Sequence, residues 1–210
     1  MKIEKKGRLN LLIAGLCLAL GLVGWRTYAH RALNPHDYTS YYADNRAALS
    51  DTKVTEGIAL TLTHQPFNLL VINDLGETMT RGQYEESKNN FCEHLYFTLD
   101  ISRTDPLSMG GSKALRDYFS HDRQRQFVLV GRAGDTLACT LYHPELVNRA
   151  DKQVRVNLVF PRPTVVAGAA PCDTPLSDDV QVRFYDETTH QFISFRIKKE
   201  AINELPALKF

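Results

Sequence analysis

The run from Leu9 to Trp25, LNLLIAGLCLALGLVGW, is seventeen residues long and carries no charge. As a helix rising about 1.5 Å per residue it spans roughly 25 Å, close to the hydrocarbon thickness of a bilayer. Residues 1–8 before it hold Lys2, Lys5, Lys6 and Arg8 against Glu4. Trp25 and Tyr28 follow it, and such residues suit the membrane interface. Three readings fit a basic start and an apolar middle: an uncleaved signal anchor, a cleaved signal peptide, or a buried helix. Cleavage needs small residues at −3 and −1, which Ala19-Leu20-Gly21 and Thr27-Tyr28-Ala29 meet loosely. Leu16 before Cys17 argues against lipidation. The anchor is the preferred reading. The basic flank then stays in the cytoplasm, and residues 26–210 lie outside it, in the periplasm if the cell is bacterial.

This divides the 210 residues into a basic cytoplasmic flank at 1–8, a transmembrane signal anchor at 9–25, a juxtamembrane stalk at 26–52 and an extracytoplasmic domain at 53–210. The stalk is polar and carries Tyr38, Tyr41 and Tyr42, which suit packing on the domain, the membrane surface or a partner. The chain has 25 Lys+Arg against 24 Asp+Glu, with 43% hydrophobic residues. That composition excludes a disordered or collagen-like chain, and the balanced charge argues against a nucleic-acid partner.

Alternating apolar residues dominate the domain. Ile58, Leu60 and Leu62 form one such set, and Val154, Val156, Leu158 and Phe160 form the clearest. From Phe91 to Ile101 the apolar set Phe91, Leu95, Phe97, Leu99 and Ile101 gives another strand pattern, with Glu93 as its exception. Leu69-Leu70-Val71-Ile72, bounded by turn residues, reads as a short buried strand. Phe127–Val130 and Leu137–Tyr142 flank a Gly-containing loop and read as a hairpin. Val180–Phe184 and Ile193–Ile197 read as a second hairpin. Residues 80–90, 113–121 and 198–208 suit short helices, and 161–179 reads as a Pro-, Ala- and Gly-rich loop. Seven or eight short strands with one wet face favour antiparallel pairing. The expected fold is mainly β, an antiparallel β-sandwich or partly open barrel with a few short helices, behind an N-terminal transmembrane helix.

Outside the cytoplasm, Cys92, Cys139 and Cys172 allow one disulfide and leave one thiol. Cys139 alternates with Leu137 and Leu141, and Cys172 lies in the loop AAPCDTP, so a Cys139–Cys172 bridge is the expected pair. It would close a loop of about 30 residues and contribute roughly 3–4 kcal/mol on the chain-entropy model. Three thiols are the alternative.

Chemical motifs are weak. Cys92 and His94 share one side of a strand pattern, with His64, His121 and His143 as further ligands. No recognised zinc spacing accompanies them. Ser120-His121-Asp122 are adjacent, whereas a triad is assembled from separate elements. Met109-Gly110-Gly111-Ser112-Lys113 lacks the order and spacing of a phosphate loop, which leaves anion binding at a helix start as its alternative to a capped connection. We therefore assign no catalytic residue, metal or cofactor. Arg116, Arg123, Arg125 and Arg132 form a basic stretch that suits an acidic partner or lipid headgroups, or serves as a solvated face.

These features point first to a membrane-anchored, extracytoplasmic protein-binding domain, an accessory or assembly subunit of an envelope complex. Its partners would be other membrane or envelope proteins, with the bilayer engaged through residues 9–25. A ligand-binding sensor or carrier is the second reading, which requires an apolar pocket with converging polar groups. An enzyme using His94, His121 and His143 is the third.

Overall fold

The computed structural model describes residues 32–104, 117–119, 123–131, 134–145, 154–163 and 174–210. The expected anchor at 9–25 lies outside these residues. Among the described residues, no helix is long and apolar enough to cross a membrane.

Among the described residues, nine strands form two antiparallel sheets, accompanied by a few short helices. In chain order the strands are β1 (Ser50–Thr55), β2 (Ile58–Gln65), β3 (His94–Arg103), β4 (Phe127–Val130), β5 (Thr136–Ala138), β6 (Leu141–Glu145), β7 (Val154–Pro161), β8 (Val180–Asp186) and β9 (Gln191–Ile197). The first sheet runs β1-β2-β3-β7-β6 and the second β5-β4-β8-β9.

The period-two pattern sets the register. His64 pairs with Phe97, Leu62 with Leu99 and Leu60 with Ile101. Across the next seam Leu95 pairs with Phe160, Phe97 with Leu158 and Leu99 with Val156. All these side chains share one buried face. The opposite face is polar and internally bonded. Ser50 meets Thr63 at 2.8 Å and Thr52 meets Thr61 at 2.9 Å. Asp100 accepts from Arg155 Nε at 2.7 Å and from Arg46 Nη2 at 2.9 Å. The buried faces of both sheets contribute to one hydrophobic cluster. Phe184 of β8 stacks on Phe127 of β4 with centroids 4.6 Å apart. Phe127 in turn lies 5.8 Å from Tyr142 of β6, in the other sheet.

The helices that bear on the site are α1 (Pro35–Asn45), α2 (Phe67–Leu75), α3 (Arg81–Phe91) and α4 (Lys199–Asn203). Asn34 caps α1 by accepting from the Asp37 amide, and Pro35 opens it. Thr80 and Gln83 form a reciprocal capping box at the start of α3. The run Leu69–Ile72 is therefore not a strand. It lies in α2, which starts after Pro66 and ends at Gly76, where φ is +80°. An unbroken apolar run carries no period, so its state is decided by its ends and by packing. Here Leu69, Val71 and Ile72 are buried.

Two further boundaries differ from expectation. The run Leu137–Tyr142 divides at Cys139-Thr140: β5 completes a hairpin with β4, while β6 pairs with β7 in the other sheet. Residues 35–52, expected as part of a stalk, are integrated into the domain. Tyr38 is fully buried, Tyr42 and Leu49 join the core, and Ser50 opens β1. Leu33 also bonds to the C-terminal segment, donating to Ala207 O at 2.9 Å and accepting from the Lys209 amide at 2.8 Å.

A candidate ligand cavity around His64

β2 delivers His64 to the last core-facing position of its strand, following Leu60 and Leu62. Its ring packs edge-on against Phe97, with centroids 5.5 Å apart. Beyond it lies a cavity of about 270 Å³. Tyr38 of α1, Asn68 of α2, Tyr84 and Lys88 of α3, and His94 of β3 contribute to its lining. Arg162 enters from the residue after β7, and Leu205–Ala207 close one side.

Among the described residues, no hydrogen bond of ordinary geometry reaches two buried polar atoms at this cavity, His64 Nδ1 and Tyr38 OH, although Asn68 lies near enough to Tyr38 to favour its charged form. The rule for buried polar groups is satisfaction, because an unmade bond leaves a desolvation penalty of about 1–3 kcal/mol. Their neighbours obey it. Tyr84 OH donates to Asn68 Oδ1 at 2.8 Å, and Asn68 Nδ2 donates to Pro206 O at 3.3 Å. The Tyr42 hydroxyl, also buried, donates to the His64 carbonyl at 3.3 Å.

Arg162 is the third unusual group. It is partly buried, and its Nη2 donates to Thr174 O at 2.8 Å. Among the described residues no carboxylate pairs with it, although buried arginine is normally paired. Burial lowers its pKa. Burial also holds the His64 imidazole far below its ordinary 6.5, at about 3, and the Arg162 charge pushes the same way. His64 is thus neutral at physiological pH, one ring nitrogen carrying a proton. Burial raises the Tyr38 phenol, which stays protonated. The cavity presents the positively charged side chains of Arg162 and Lys88, the neutral His64 imidazole and phenolic hydroxyls, beside apolar walls from Phe67, Leu95, Ile202 and Leu205. No described carboxylate lines it.

The groups singled out from sequence fall elsewhere, with one exception. Among the expected metal ligands, His64 and His94 do reach the same cavity. Cys92, however, caps the C-terminal end of α3 rather than sharing a strand face with His94, and its sulfur is in a disulfide. Among the described residues no group of three or more His, Cys, Asp or Glu side chains could hold a metal ion. His143 lies on β6 opposite Asn157, whereas His94 lies on β3 opposite Pro161. Four residues of β7 and two strand spacings separate them, roughly 13 Å along the sheet and about 10 Å across it. Ser120, His121, Asp122 and the 109–113 loop lie outside the described residues.

The expected Cys139–Cys172 bridge is not formed. Cys139 keeps a buried thiol whose Sγ donates to Leu141 O at 2.9 Å, and Cys92 is the bonded cysteine. The alternation around Cys139 correctly makes it core-facing, but a core-facing thiol in the crossover between sheets packs as a small apolar group.

The basic stretch is dispersed. Arg116 and Arg132 lie outside the described residues, and Arg125 is exposed on a short 3₁₀ turn. Arg123 is engaged locally. It pairs with Glu187, donates to Tyr118 O at 3.1 Å and lies 4.1 Å over the Tyr118 ring. A second cavity of about 270 Å³ lies beside this cluster, between Leu60 and Phe184. Of its two acids, Glu56 and Asp186, the latter accepts from Tyr118 OH, the Thr188 amide and Thr189 Oγ1.

Sequence reasoning missed the joint site because its parts lie on α1, β2 and the loop after β7, far apart in the chain. One signal was present. A histidine at the fourth position of the period-two set Ile58, Leu60, Leu62 and His64 breaks an otherwise aliphatic pattern.

No protein-family model matches the chain, and no curated protein matches it. Among solved structures, a novel protein of unknown function from Burkholderia pseudomallei K96243 is similar at 11% identity. The similarity covers 83% of this chain and 94% of that chain, with a TM-score of 0.40. A likeness at that score carries no argument about this chain's function.

Proposed function

We propose that this chain is a membrane-anchored, extracytoplasmic domain, built as a two-sheet sandwich, that binds a small molecule in the His64 cavity. The observation that carries the reading is the convergence on one cavity of two buried polar groups, His64 Nδ1 and Tyr38 OH, that no hydrogen bond of ordinary geometry among the described residues reaches. Apolar walls with a few converging polar groups are the ordinary construction of a ligand site, and about 270 Å³ is near the small end of the usual 300–1,000 Å³.

Placement outside the cytoplasm is supported by the charge-free run at 9–25 and by the disulfide at Cys92, since disulfides persist in oxidising compartments. Geometry suits a sensor. Leu33, at the entry to the domain from the anchor side, bonds to Ala207, which lines the cavity. Tyr38, one turn into α1, lines it too. A ligand there touches the element that joins the domain to residues 9–25.

Protein binding, with other envelope proteins as partners, remains as a second reading because of one observation. Phe192 on β9, an edge strand, is 67% exposed beside Tyr185. Edge strands and exposed aromatic rings are common docking elements.

One experiment separates the two. The full-length protein, purified in mild detergent, is melted against a library of small metabolites. In parallel it is crosslinked in native membranes and its partners identified by mass spectrometry. A ligand at a hundred times its Kd should stabilise by about 2.7 kcal/mol. Stabilisation in the wild type that is lost in His64→Phe, which fills the cavity, is the expected outcome. A stoichiometric protein partner with no stabilising compound would replace this reading with the accessory-subunit one.

A further inference from the structure

We propose that the His64 cavity recognises a small monocarboxylate, an anion with one charged head and a short apolar or aromatic body. The inference rests on the reading of this cavity as the ligand site and adds the ligand's charge and shape.

Charge comes first. Arg162 is a partly buried guanidinium that no described carboxylate pairs with, and it shares the cavity with His64 and Tyr38. One of its terminal nitrogens is committed to Thr174 O and its backbone amide to Glu93 O at 2.8 Å, so the side chain is held from both ends. A guanidinium carries five donors in a planar fork that matches a carboxylate's two oxygens, which leaves donors to offer after the Thr174 bond. With Lys88 also in the lining and no described carboxylate there, the cavity favours an anion, and the Arg162 fork favours a carboxylate head.

The neutral donors come second. Tyr38 OH can give a proton to an acceptor, and His64 Nδ1 can do so in one tautomer. An oxyanion satisfies both atoms, whereas a cation would face Arg162 and Lys88 together. At the mouth, α2 begins at Phe67 after Pro66 with no side-chain cap, so its first amides add a favourable partial charge.

The walls come third. Phe67, Leu95, Ile202 and Leu205 surround the polar groups, and these suit a hydrocarbon body better than the spread charge of a free phosphate. The volume of about 270 Å³ limits that body to a small one.

The test titrates benzoate, its neutral isostere benzamide and inorganic phosphate into the full-length protein by calorimetry. Benzoate should bind at least tenfold more tightly than benzamide, and more tightly than phosphate. Arg162→Gln should erase the preference for benzoate over benzamide, and Tyr38→Phe should weaken benzoate several-fold without lowering the melting temperature. If Arg162→Gln does not fold, Arg162→Lys keeps the charge but loses the fork, and should weaken benzoate several-fold. Equal binding of benzamide, or tighter binding of phosphate, would overturn the monocarboxylate assignment and leave the ligand site standing. No binding of any of the three, together with a library screen blank for the wild type, would overturn the ligand site itself.

Discussion

His64 occupies a position that the β2 pattern reserves for an aliphatic side chain, with Leu60 and Leu62 before it on the same face. Its folded pKa of about 3 lies below the ordinary 6.5. Between those values the unfolded chain binds a proton that the folded chain does not. His64 therefore leaves stability intact above pH 6.5 and withdraws it as pH falls toward 3, at up to about 1.4 kcal/mol per pH unit. Urea midpoints measured between pH 7 and pH 4 should fall more steeply in the wild type than in His64→Gln. Parallel profiles would show that the imidazole is not held neutral. This residue was visible in the sequence as an interruption of period two. Arg162 was not: an arginine between two prolines carries no periodic signal, and its partial burial depends on segments distant in the chain.

Elements were legible where their period was clean and their ends were marked. β7 and the β8–β9 hairpin follow from strict alternation, and α3 from its polar, uninterrupted run over residues 80–90. α2 and the β5–β6 division were not, because an all-apolar run has no period and a strand that changes sheets looks continuous in sequence. The disulfide belongs to this scale. Arg162 N–H donates to Glu93 O at 2.8 Å, next in the chain to Cys92, and Arg162 Nη2 donates to Thr174 O at 2.8 Å. Cys172 is two residues from Thr174, within about 7 Å of it on a fully extended chain. Of the two cysteines outside the described residues, Cys172 is thus the expected partner rather than Cys17. Peptide mapping under non-reducing conditions should recover Cys92 joined to Cys172, with Cys139 alkylated only after unfolding. Closing a loop of about 80 residues contributes roughly 4–5 kcal/mol on the chain-entropy model, so Cys92→Ser should lower stability by about 2–5 kcal/mol. Recovery of a Cys92–Cys17 peptide would contradict the pairing.

At the scale of the molecule, the two sheets are joined by aromatic packing rather than by a shared strand. Phe184 is 1% exposed and meets Phe127 at 4.6 Å and Phe119 at 5.8 Å, while Phe127 reaches Tyr142 of the other sheet at 5.8 Å. Truncating Phe184 removes a ring from a close-packed stack, and the loss of transfer energy adds to that of the cavity left behind. Phe184→Ala should therefore cost about 3–5 kcal/mol in urea unfolding. Phe192, on the same hairpin but 67% exposed, has no such surroundings, and Phe192→Ala should change stability by less than about 0.5 kcal/mol. The contrast tests the docking of the sheets and not merely the content of β8 and β9. Both variants keep the strand pairing of Tyr185 with Phe192 and of Phe184 with Ile193. If the sheets form one cooperative unit, near-ultraviolet and far-ultraviolet circular dichroism will be lost together in the wild type, and the Phe184→Ala midpoint will shift without separating them. A small Phe184→Ala effect, equal to that of Phe192→Ala, would mean that the stack does not hold the sheets together. The walls of the His64 cavity, drawn from β2, β3 and the surrounding helices, would then owe their shape to the first sheet alone.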